Sequence, residues 1–562
     1  MPAYRTGRLL YKIKFFCYNL AMLDELKKHL NFNRLVVLVF VATGFVIYGN
    51  TLANQMFWDD FDFILNNQYL RDWQYLPNFF SENVIAGAGL MSNYWRPVLQ
   101  IIFSFEWHTW GDFAPGYHFV NIIFHVSDAT LLYFVLNLIF KKRWLSAITA
   151  LVFLVHPIQT EAVSYANSLG DSLSVFWMLG GIWFYLKYLE NASRQYFYVA
   201  LFFYILALMS KETAIIMPAL IALAHFFVFP KEIAIGERLK KIAEEIWPFF
   251  LVAGIYLLLR ATSLNFINSF NLYNEQNVFT SSIFTRIFTF FHILTIYLGL
   301  IFLPVGLHME RMVSVSTSLF SGPVILGALI FFGLFATAIW KIKKYPILSF
   351  GILWFFIGLA PTSNIAVPIN GMLYEHWLYF PMIGIALIII WLGINMFEKF
   401  HQIRILLIAL LIISISTLSM LTIKRNRQWH DPIVFYNQTL AFTPGSYRVL
   451  NNLGMAYADA KENTKAKETY EKAIALDPKN PIAYHNLGNI LRDSSGKEQA
   501  IANYEKAIEL DPSFFHSYSA LIDLYLKEKN YPKALEYLKK AKELQPGNEN
   551  IENLIYQLEK LK

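Results

Sequence analysis

The amino-acid sequence predicts an all-α protein in which a polytopic bundle of transmembrane helices precedes a solenoid of short helical hairpins. Apolar residues make up 56% of the 562 residues and charged residues only 15%, against about 25% charged residues in an ordinary soluble domain. Apolar runs of membrane-spanning length follow one another up to residue 424, and beyond it several residue types recur every 34 positions. This composition excludes a disordered, collagen-like or wholly soluble protein. The single cysteine, Cys17, excludes an intrachain disulfide.

Twelve apolar runs before residue 424 are candidate membrane spans. A helix needs roughly 20 residues to cross about 30 Å of hydrocarbon, so the sequence predicts about 11 to 13 spans in a membrane domain over 34–424. The run at 284–303 fits the alternation of sides poorly, and we leave open whether it crosses or is re-entrant. The runs lie at 35–53, 116–140, 144–156, 165–189, 195–209, 212–229, 246–262, 284–303, 322–340, 347–360, 373–396 and 404–423.

Basic residues predict which segments face the cytoplasm. Seven Lys and Arg residues occur in the first 34 positions, and the turns at 141–143 and 341–344 are basic. We therefore expect a cytoplasmic N-terminal segment, 1–33, whose residues 10–30 form a helix on the membrane surface. Segments poor in Lys and Arg are expected outside, among them the first outer loop, 54–95, and the loops 157–164, 263–283 and 361–372. Counting crossings from 341–344 places 425–562 outside as well.

The C-terminal segment repeats with a 34-residue period. Leu453, Leu487 and Leu521 are 34 residues apart, and alanine and proline positions repeat with the same step. The pattern resembles a tetratricopeptide array, whose unit is a helical hairpin. About 3.5 units are predicted, at 446–479, 480–513 and 514–547, with a half unit at 430–444 and a capping helix at 548–561. Such an array binds an extended peptide or a partner protein in its groove, or else packs only against its own membrane domain.

An acidic pair follows the first span. Asp59 and Asp60 stand after Trp58, and the next conspicuous cluster of the same loop contains Tyr94 and Arg96. Two adjacent carboxylates at a membrane surface are a candidate general base with a supporting acceptor, because burial or a neighbouring charge adjusts the pKa. The alternative is that one of them only caps an interfacial helix.

Polar residues form a stripe on the second span. His118, Asn121, His125 and Asp128 are separated by steps of 3, 4 and 3, which places them on one helix face. The two histidines are about 10 Å apart, too far to share one metal ion easily. We interpret the stripe as polar contacts between helices, with substrate contact as the alternative.

Further acids and bases are predicted at the outer membrane face. A phosphate leaving group needs cations, and a hydroxyl acceptor needs a carboxylate. Clusters of this kind at one face are what a reaction on a lipid-linked substrate requires, although ion pairs and helix caps explain most such clusters singly. The clusters contain His156 and Glu161, Lys211 and Glu212, Arg260, and Glu375 and His376.

The order of these motifs resembles one protein family. The motifs Trp58-Asp59-Asp60, Tyr94-Trp95-Arg96-Pro97, His156-Pro157 and Lys211-Glu212 are followed by others in the family's order, the last before the repeats being Arg425-Asn426. Over residues 35–560 the chain resembles the transmembrane and tetratricopeptide-repeat-containing O-mannosyltransferases and their prokaryotic relatives. These are membrane glycosyltransferases of the C-type fold, related to protein O-mannosyltransferases. The short array indicates a prokaryotic member, in which the membrane would be the cytoplasmic membrane.

The resemblance implies a reaction and a set of site residues. Such enzymes transfer a sugar from a polyprenyl-phosphate carrier, with inversion, to Ser or Thr hydroxyls of proteins on the extracytoplasmic side. Asp59 and Asp60 inherit the catalytic role, and which of them is the base stays open. The other candidates contact the donor or orient its ligands, with Glu375 orienting one of the cations. They are Tyr94, Arg96, His156, Glu161, Lys211, Glu212, Arg260, Glu375 and His376.

The resemblance also implies what the enzyme binds. No cofactor is expected, since the lipid-linked sugar is a substrate, and donors of this kind usually need no metal. The expected partners are the donor, the lipid bilayer and an acceptor polypeptide held by the array, whereas the thinly spread basic residues do not indicate nucleic acid.

Two positions depart from the animal proteins. Leu169 and His376 stand where those proteins tend to show arginine. A histidine is cationic only when protonated, so the sequence leaves the donor sugar open. Two alternatives also stay open: a transferase of the same fold that acts on a lipid or surface polysaccharide, and a non-enzymatic transporter or scaffold whose function survives neutralisation of the acidic pair.

Overall fold

The computed structural model describes residues 31–229, 233–267, 277–369, 371–493 and 496–560. All regular elements in these ranges are helical, which confirms the predicted all-α class with a transmembrane bundle and a C-terminal repeat region. The helix predicted over 10–30 lies outside the described residues. By contacts the chain divides into two units. The first comprises residues up to Leu307 and Val313–Arg427, and the second comprises His308–Met312 and Gln428–Lys562.

Sixteen α-helices build the described part of the first unit. They are α1 (Phe32–Tyr48), α2 (Leu76–Ser81), α3 (Pro97–Trp110), α4 (Ala114–Phe140), α5 (Arg143–Val155), α6 (Thr160–Ser164), α7 (Leu169–Asn191), α8 (Arg194–Leu208), α9 (Met217–Val228), α10 (Ile235–Ala261), α11 (Val278–Ser281), α12 (Ile283–Phe302), α13 (Gly322–Trp340), α14 (Pro346–Leu359), α15 (Met382–Lys399) and α16 (Arg404–Asn426).

Short helical turns join several of these helices. A π-helical turn covers Phe61–Leu65. Five 3₁₀ turns matter for the site: one follows α1, one separates α5 from α6, and the others precede α7, α9 and α15. These turns are Gly49–Ala53, Pro157–Gln159, Ala166–Ser168, Glu212–Ile216 and Glu375–Leu378.

Membrane-spanning length is reached by many of the described helices. Eight are long and apolar enough to cross a membrane, or nine if the bent pair formed by α5 and Pro157–Ser164 is one span. Three shorter apolar helices, Arg194–Leu208, Glu212–Val228 and Pro346–Thr362, lie between them. The chain is therefore a multi-pass membrane protein, whereas the predicted number of spans and their orientation stay predictions.

One predicted span has the wrong start. The run 373–396 was expected to be a single helix, but its first residues form the turn Glu375–Leu378, and α15 begins only at Met382. The physical reason is that Glu161 binds the backbone N–H groups of Glu375 and His376 and so fixes this segment outside a regular helix. Glu375 and His376 thus lie before α15 rather than within it.

Close packing of α14 against α15 supports the segment between them. A Cβ atom on Gly351 or Gly384 would overlap main-chain atoms of the other helix. The two backbones therefore approach as only glycine permits, and the segment 360–381 leaves and returns at neighbouring helix ends. Trp354 and Phe380 stack beside this crossing with ring centroids 4.8 Å apart.

The last turn of α16 is tied into the first unit by Asn426, which is fully buried. Its side-chain amide donates to the Ile47 carbonyl oxygen at 2.9 Å and to Asn50 Oδ1 at 3.1 Å. Its oxygen accepts the hydroxyl proton of Ser164 at 3.0 Å. One side chain therefore joins the end of α16 to the ends of α1 and α6.

The second unit contains eight α-helices in its described residues. They are α17 (Pro432–Phe442), α18 (Tyr447–Asp459), α19 (Asn463–Leu476), α20 (Pro481–Asp493), α21 (Lys497–Leu510), α22 (Phe515–Lys527), α23 (Tyr531–Leu544) and α24 (Glu549–Glu559). Within hairpins the two helices approach closely: a Cβ on Gly454 would overlap the ring of Tyr470, and one on Gly488 the ring of Tyr504. The predicted repeat is confirmed.

Candidate functional site

The acidic pair lies in a tight turn after α1. Trp58 adopts a left-handed conformation with φ 61°, which is uncommon for a bulky residue. The turn directs the N–H of Asp59 to the hydroxyl oxygen of Tyr165 at 2.9 Å. Asp59 remains partly exposed, whereas Asp60 is only 1% exposed. Two carboxylates that are adjacent in sequence therefore have different environments.

Both carboxylate oxygens of Asp60 accept backbone hydrogen bonds. Oδ2 accepts the N–H of Phe57 at 3.0 Å, and Oδ1 accepts the N–H of Asn167 at 2.8 Å. Burial raises the pKa of Asp60 well above its ordinary value of 3.8, against the opposing effect of these two donors. Asp60 thus links the turn to the segment before α7.

Arg96 forms a two-point ion pair with Glu212. Its Nε and one terminal nitrogen donate to the two carboxylate oxygens at 3.1 and 2.7 Å. The guanidinium also lies over the ring of Tyr94, 4.4 Å from its centroid. Burial raises the pKa of Tyr94, and the charges of Arg96, Glu212 and Asp59 act on the same hydroxyl. Tyr94 therefore belongs to the same cluster of charged and polar side chains as Arg96 and Glu212.

Lys211 pairs with Asp171, a residue to which the sequence analysis gave no role. The ammonium group lies 2.6 Å from Oδ1, and both side chains are largely buried. A buried lysine of this kind needs a carboxylate partner. Because Lys211 precedes Glu212, the two ion pairs meet at one turn of chain between α8 and α9.

Glu161 organises the segment before α15. Its Oε1 lies 2.6 Å from Nδ1 of His376, while Oε2 accepts the N–H groups of Glu375 and His376 at 3.0 and 3.2 Å. Glu161 is fully buried. Glu375 pairs with Arg425 at 3.6 Å. The sequence analysis expected Glu375 to orient one of the candidate cations, and Arg425 was not among them.

Two candidates have contacts that favour a structural role. The guanidinium of Arg260 donates to the main-chain oxygens of Asn93 and, at 2.8 Å, of Leu264. The ring of His156 contacts the Ile301 carbonyl oxygen at 3.0 Å through Nε2 and accepts the N–H of Ile158 at 3.2 Å through Nδ1. These contacts hold chain segments together and use both ring nitrogens of the histidine.

A small pocket lies between α7, the turn Glu212–Ile216, the end of α14 and the segment before α15. Its polar lining includes Asp171, His376 and Tyr379, and most of its remaining wall is apolar or aromatic. The other lining residues are Val175, Met178, Thr213, Ile216, Gly358, Thr362, Trp377, Phe380 and Pro381. Polar and apolar side chains therefore face the same pocket.

The structure brings most of the candidate residues into one network. Arg96 lies over Tyr94 and pairs with Glu212, and the preceding residue, Lys211, pairs with Asp171. Asp171 lines the pocket with His376, which binds Glu161. Motif order indicated the members of this network but not their pairing. Among the described residues, no group of three or more His, Cys, Asp and Glu side chains is placed to hold a metal ion.

The repeat region matches known repeat families. The family described as "TPR repeat" matches residues 454–494, and the family described as "Tetratricopeptide repeat" matches residues 485–549.

Relatives of the whole chain are proteins named protein O-mannosyl-transferases. The chain is 24% identical to the F38B6.6 protein of Caenorhabditis elegans, covering 78% of this chain and 62% of the relative. Human TMTC4 is 24% identical, with coverages of 77% and 65%, and mouse TMTC3 is 24% identical, with coverages of 80% and 52%. The chain thus spans roughly half to two thirds of the length of these relatives. The resemblance drawn from motif order is confirmed.

Proposed function

We propose that the chain is a membrane glycosyltransferase that moves a sugar from a polyprenyl-phosphate carrier to Ser or Thr hydroxyls of polypeptides. The observation that carries the proposal is a pair of ion pairs beside the pocket: Arg96 pairs with Glu212, and the preceding residue, Lys211, pairs with Asp171, which lines the pocket with His376. A carboxylate, and cations beside a pocket with apolar walls, are the groups that transfer from a lipid phosphate requires. The names of the relatives support the same activity.

Asp59 is the general base in this proposal. Asp60 already accepts two backbone N–H groups and is buried, whereas Asp59 is partly exposed. Asp59 takes the proton of the acceptor hydroxyl as its oxygen attacks the anomeric carbon. The bond from that carbon to the phosphate oxygen breaks, the carrier phosphate leaves with the bonding electrons, and the configuration inverts. Asp60 holds the turn that presents Asp59.

The leaving phosphate is stabilised by cations beside the pocket. Lys211 uses one short contact to Asp171, which leaves ammonium protons for a phosphate oxygen. His376 binds Glu161 through Nδ1, so Nε2 is the nitrogen that can face the ligand. The apolar wall suits the first units of a polyprenyl chain.

The array and the orientation complete the proposal. The repeat unit engages the acceptor polypeptide, because arrays of this kind bind extended segments. The basic turn at 341–344 is cytoplasmic, and both the acidic pair and the array are extracytoplasmic.

Sugar transfer in membranes tests the base. Labelled polyprenyl-phosphate sugars are supplied to wild type and to Asp59→Asn, and label is measured in protein. We expect Asp59→Asn to lower transfer about 10²- to 10⁴-fold, the range of general-base catalysis. The matched control is Asp72→Asn, an exposed aspartate of the same loop that accepts only the N–H of Gln74.

Three outcomes would contradict parts of the proposal. Undiminished transfer by Asp59→Asn would remove the base. An equal loss of transfer in Asp72→Asn would show that removal of any carboxylate charge from this loop lowers transfer. Label recovered in lipid or polysaccharide instead of protein would identify a different acceptor.

A further inference from the structure

The polar stripe of α4 has no part in the chemistry described above. Asn121, His125 and Asp128 are each at most 1% exposed. Polar groups at membrane depth are costly, and those that persist usually have partners inside the bundle. Apart from the Leu154 carbonyl oxygen on α5, the partners of these three side chains lie on two chain segments, and each of these segments carries one half of the proposed site.

Asn121 holds the segment that supports the acidic pair. Its side-chain amide donates to the carbonyl oxygens of Val163 and Tyr165 at 3.3 and 2.9 Å. Within the same segment the Tyr165 hydroxyl accepts the N–H of Asp59, and the N–H of Asn167 donates to Asp60. Asn121 thus binds the segment that in turn contacts the main chain of Asp59 and the carboxylate of Asp60.

His125 and Asp128 hold Tyr379. The Tyr379 hydroxyl oxygen lies 2.7 Å from Oδ2 of Asp128 and 2.7 Å from Nδ1 of His125, so hydrogen bonds join it to both side chains. Nε2 of His125 lies 3.1 Å from the Leu154 carbonyl oxygen, which can only accept, so this nitrogen carries a proton. Either Asp128 and His125 are both neutral or they are oppositely charged, and both arrangements are neutral overall. A neutral triad is the form that a low-dielectric surrounding tolerates.

Tyr379 belongs to the segment that shapes the pocket. Its N–H donates to the His376 carbonyl oxygen at 3.0 Å, and Tyr379, His376 and Trp377 all line the pocket. Asp128 and His125 are therefore linked to the pocket wall through one hydroxyl group.

We propose that the stripe is a positioning element with two separate tasks. Asn121 positions the acidic pair through the segment 163–167, and the pair His125 and Asp128 positions the pocket wall through Tyr379. The tasks are separate because the two sets of hydrogen bonds share no partner among the contacts named here. The kinetic consequence rests on the proposed function, whereas the structural consequence does not.

Cysteine labelling tests the two tasks without any activity assay. In a Cys17→Ser background, one reporter is Phe61→Cys beside Asp60, and the other is Trp377→Cys in the pocket wall. We expect Asn121→Ala to raise the labelling rate of the cysteine at 61 about tenfold and to leave the labelling rate of the cysteine at 377 unchanged. The reason is that the lost buried hydrogen bonds held only the segment 163–167. Tyr379→Phe is expected to do the reverse.

The matched control is Ser127→Ala on the exposed side of α4, whose hydroxyl donates only to the Ile123 carbonyl of its own helix. It should change neither rate. Asp128→Asn keeps an oxygen acceptor for Tyr379 and should resemble wild type more than Tyr379→Phe does. If Asn121→Ala and Tyr379→Phe change both reporters together, or neither reporter, the proposal is wrong.

Transfer kinetics supply the second readout. We expect Asn121→Ala to lower kcat about 10- to 100-fold at an unchanged donor KM, as misplacement of a reacting group does. Tyr379→Phe should raise the donor KM instead. Equal loss of kcat in both variants would overturn the division of tasks. Absence of transfer by wild type would contradict the proposed function, and the labelling rates would still decide the positioning proposal.

Discussion

At the residue scale, the acidic pair shows how the fold divides two chemically identical side chains. Asp60 lies against two backbone N–H donors and is almost completely buried. Asp59 uses its own N–H to contact Tyr165 and keeps part of its side chain exposed. The sequence could indicate the pair, because Trp58-Asp59-Asp60 is a recognisable motif. It could not assign the roles, because the donors to Asp60 include a residue more than 100 positions away.

The raised pKa of Asp60 predicts a pH dependence of stability. The folded protein binds this proton more tightly than the unfolded chain, so the contribution of Asp60 is full below about pH 3.8 and declines as the pH rises through the folded-state pKa. Asp60→Asn cannot ionise. We therefore expect the thermal midpoint of wild type minus that of Asp60→Asn to fall as the pH is raised, measured on purified protein in detergent.

The control for this experiment is Asp72→Asn, which removes an exposed carboxyl from the same loop. A difference between wild type and Asp60→Asn that stays constant or grows with pH would contradict the assignment. Measurement at several pH values is essential, because Asn also lacks the second acceptor that Asp60 offers to Phe57 or Asn167.

At the scale of elements, the hairpins of the repeat unit depend on glycines that face tyrosine rings. Gly488 lies against Tyr504, and Gly454 lies one period earlier against Tyr470. The 34-residue period made these hairpins predictable, since several positions, among them Leu453, Leu487 and Leu521, recur with the same residue type. Such regularity is missing from the turn Glu375–Leu378, whose conformation depends on Glu161 in a distant part of the sequence. The predicted helix therefore started too early.

A methyl group at Gly488 should destabilise its hairpin. The added Cβ would lie 2.7 Å from the Tyr504 ring, and overpacking of this kind costs about 1–3 kcal/mol. We expect Gly488→Ala to speed hydrogen exchange in α20 and α21 of the full chain, followed by mass spectrometry. Gly445→Ala is the matched control, because nothing lies within 4 Å of its added Cβ. Equal exchange in both variants would count against the close contact.

On the scale of the whole molecule, α12 decides how the chain crosses the membrane. Near its first turn, Arg286 donates to the Ile365 carbonyl oxygen at 3.2 Å, and near its last turn the Ile301 carbonyl oxygen contacts His156 at 3.0 Å. A helix of 20 residues is about 30 Å long. Ile365 and His376 lie in the same inter-helix segment, and His376 binds Glu161 close to His156. Both ends of α12 therefore contact segments of the proposed outer face, which favours the re-entrant alternative.

Accessible cysteines can test this path. In a Cys17→Ser background, we expect Ser281→Cys and Phe320→Cys to react with an impermeant maleimide from one side of sealed cells. Lys343→Cys should react only after the membrane is opened, because α13 crosses between Phe320 and Lys343. If Ser281→Cys and Phe320→Cys react from opposite sides, α12 crosses the membrane. Hydropathy alone could not distinguish the two paths, since α12 has the length and apolar composition of a span whichever path it takes.

The hydrogen bonds of the Asn426 side chain limit where the chain can be joined to another sequence in a chimaeric protein. They close the polar interior of the first unit one residue before its last residue, Arg427. A splice junction placed after Arg427 would leave those bonds intact, but an exchanged array would also have to fit His308–Met312, which belongs to the second unit and whose Glu310 accepts hydrogen bonds from Ser446 and Arg448. The junction follows the end of α16, which the hydrogen bonds of Asn426 hold in place. The side-chain contacts of the first unit with Asn426 would thus survive a cut that removes the helices α17 to α24.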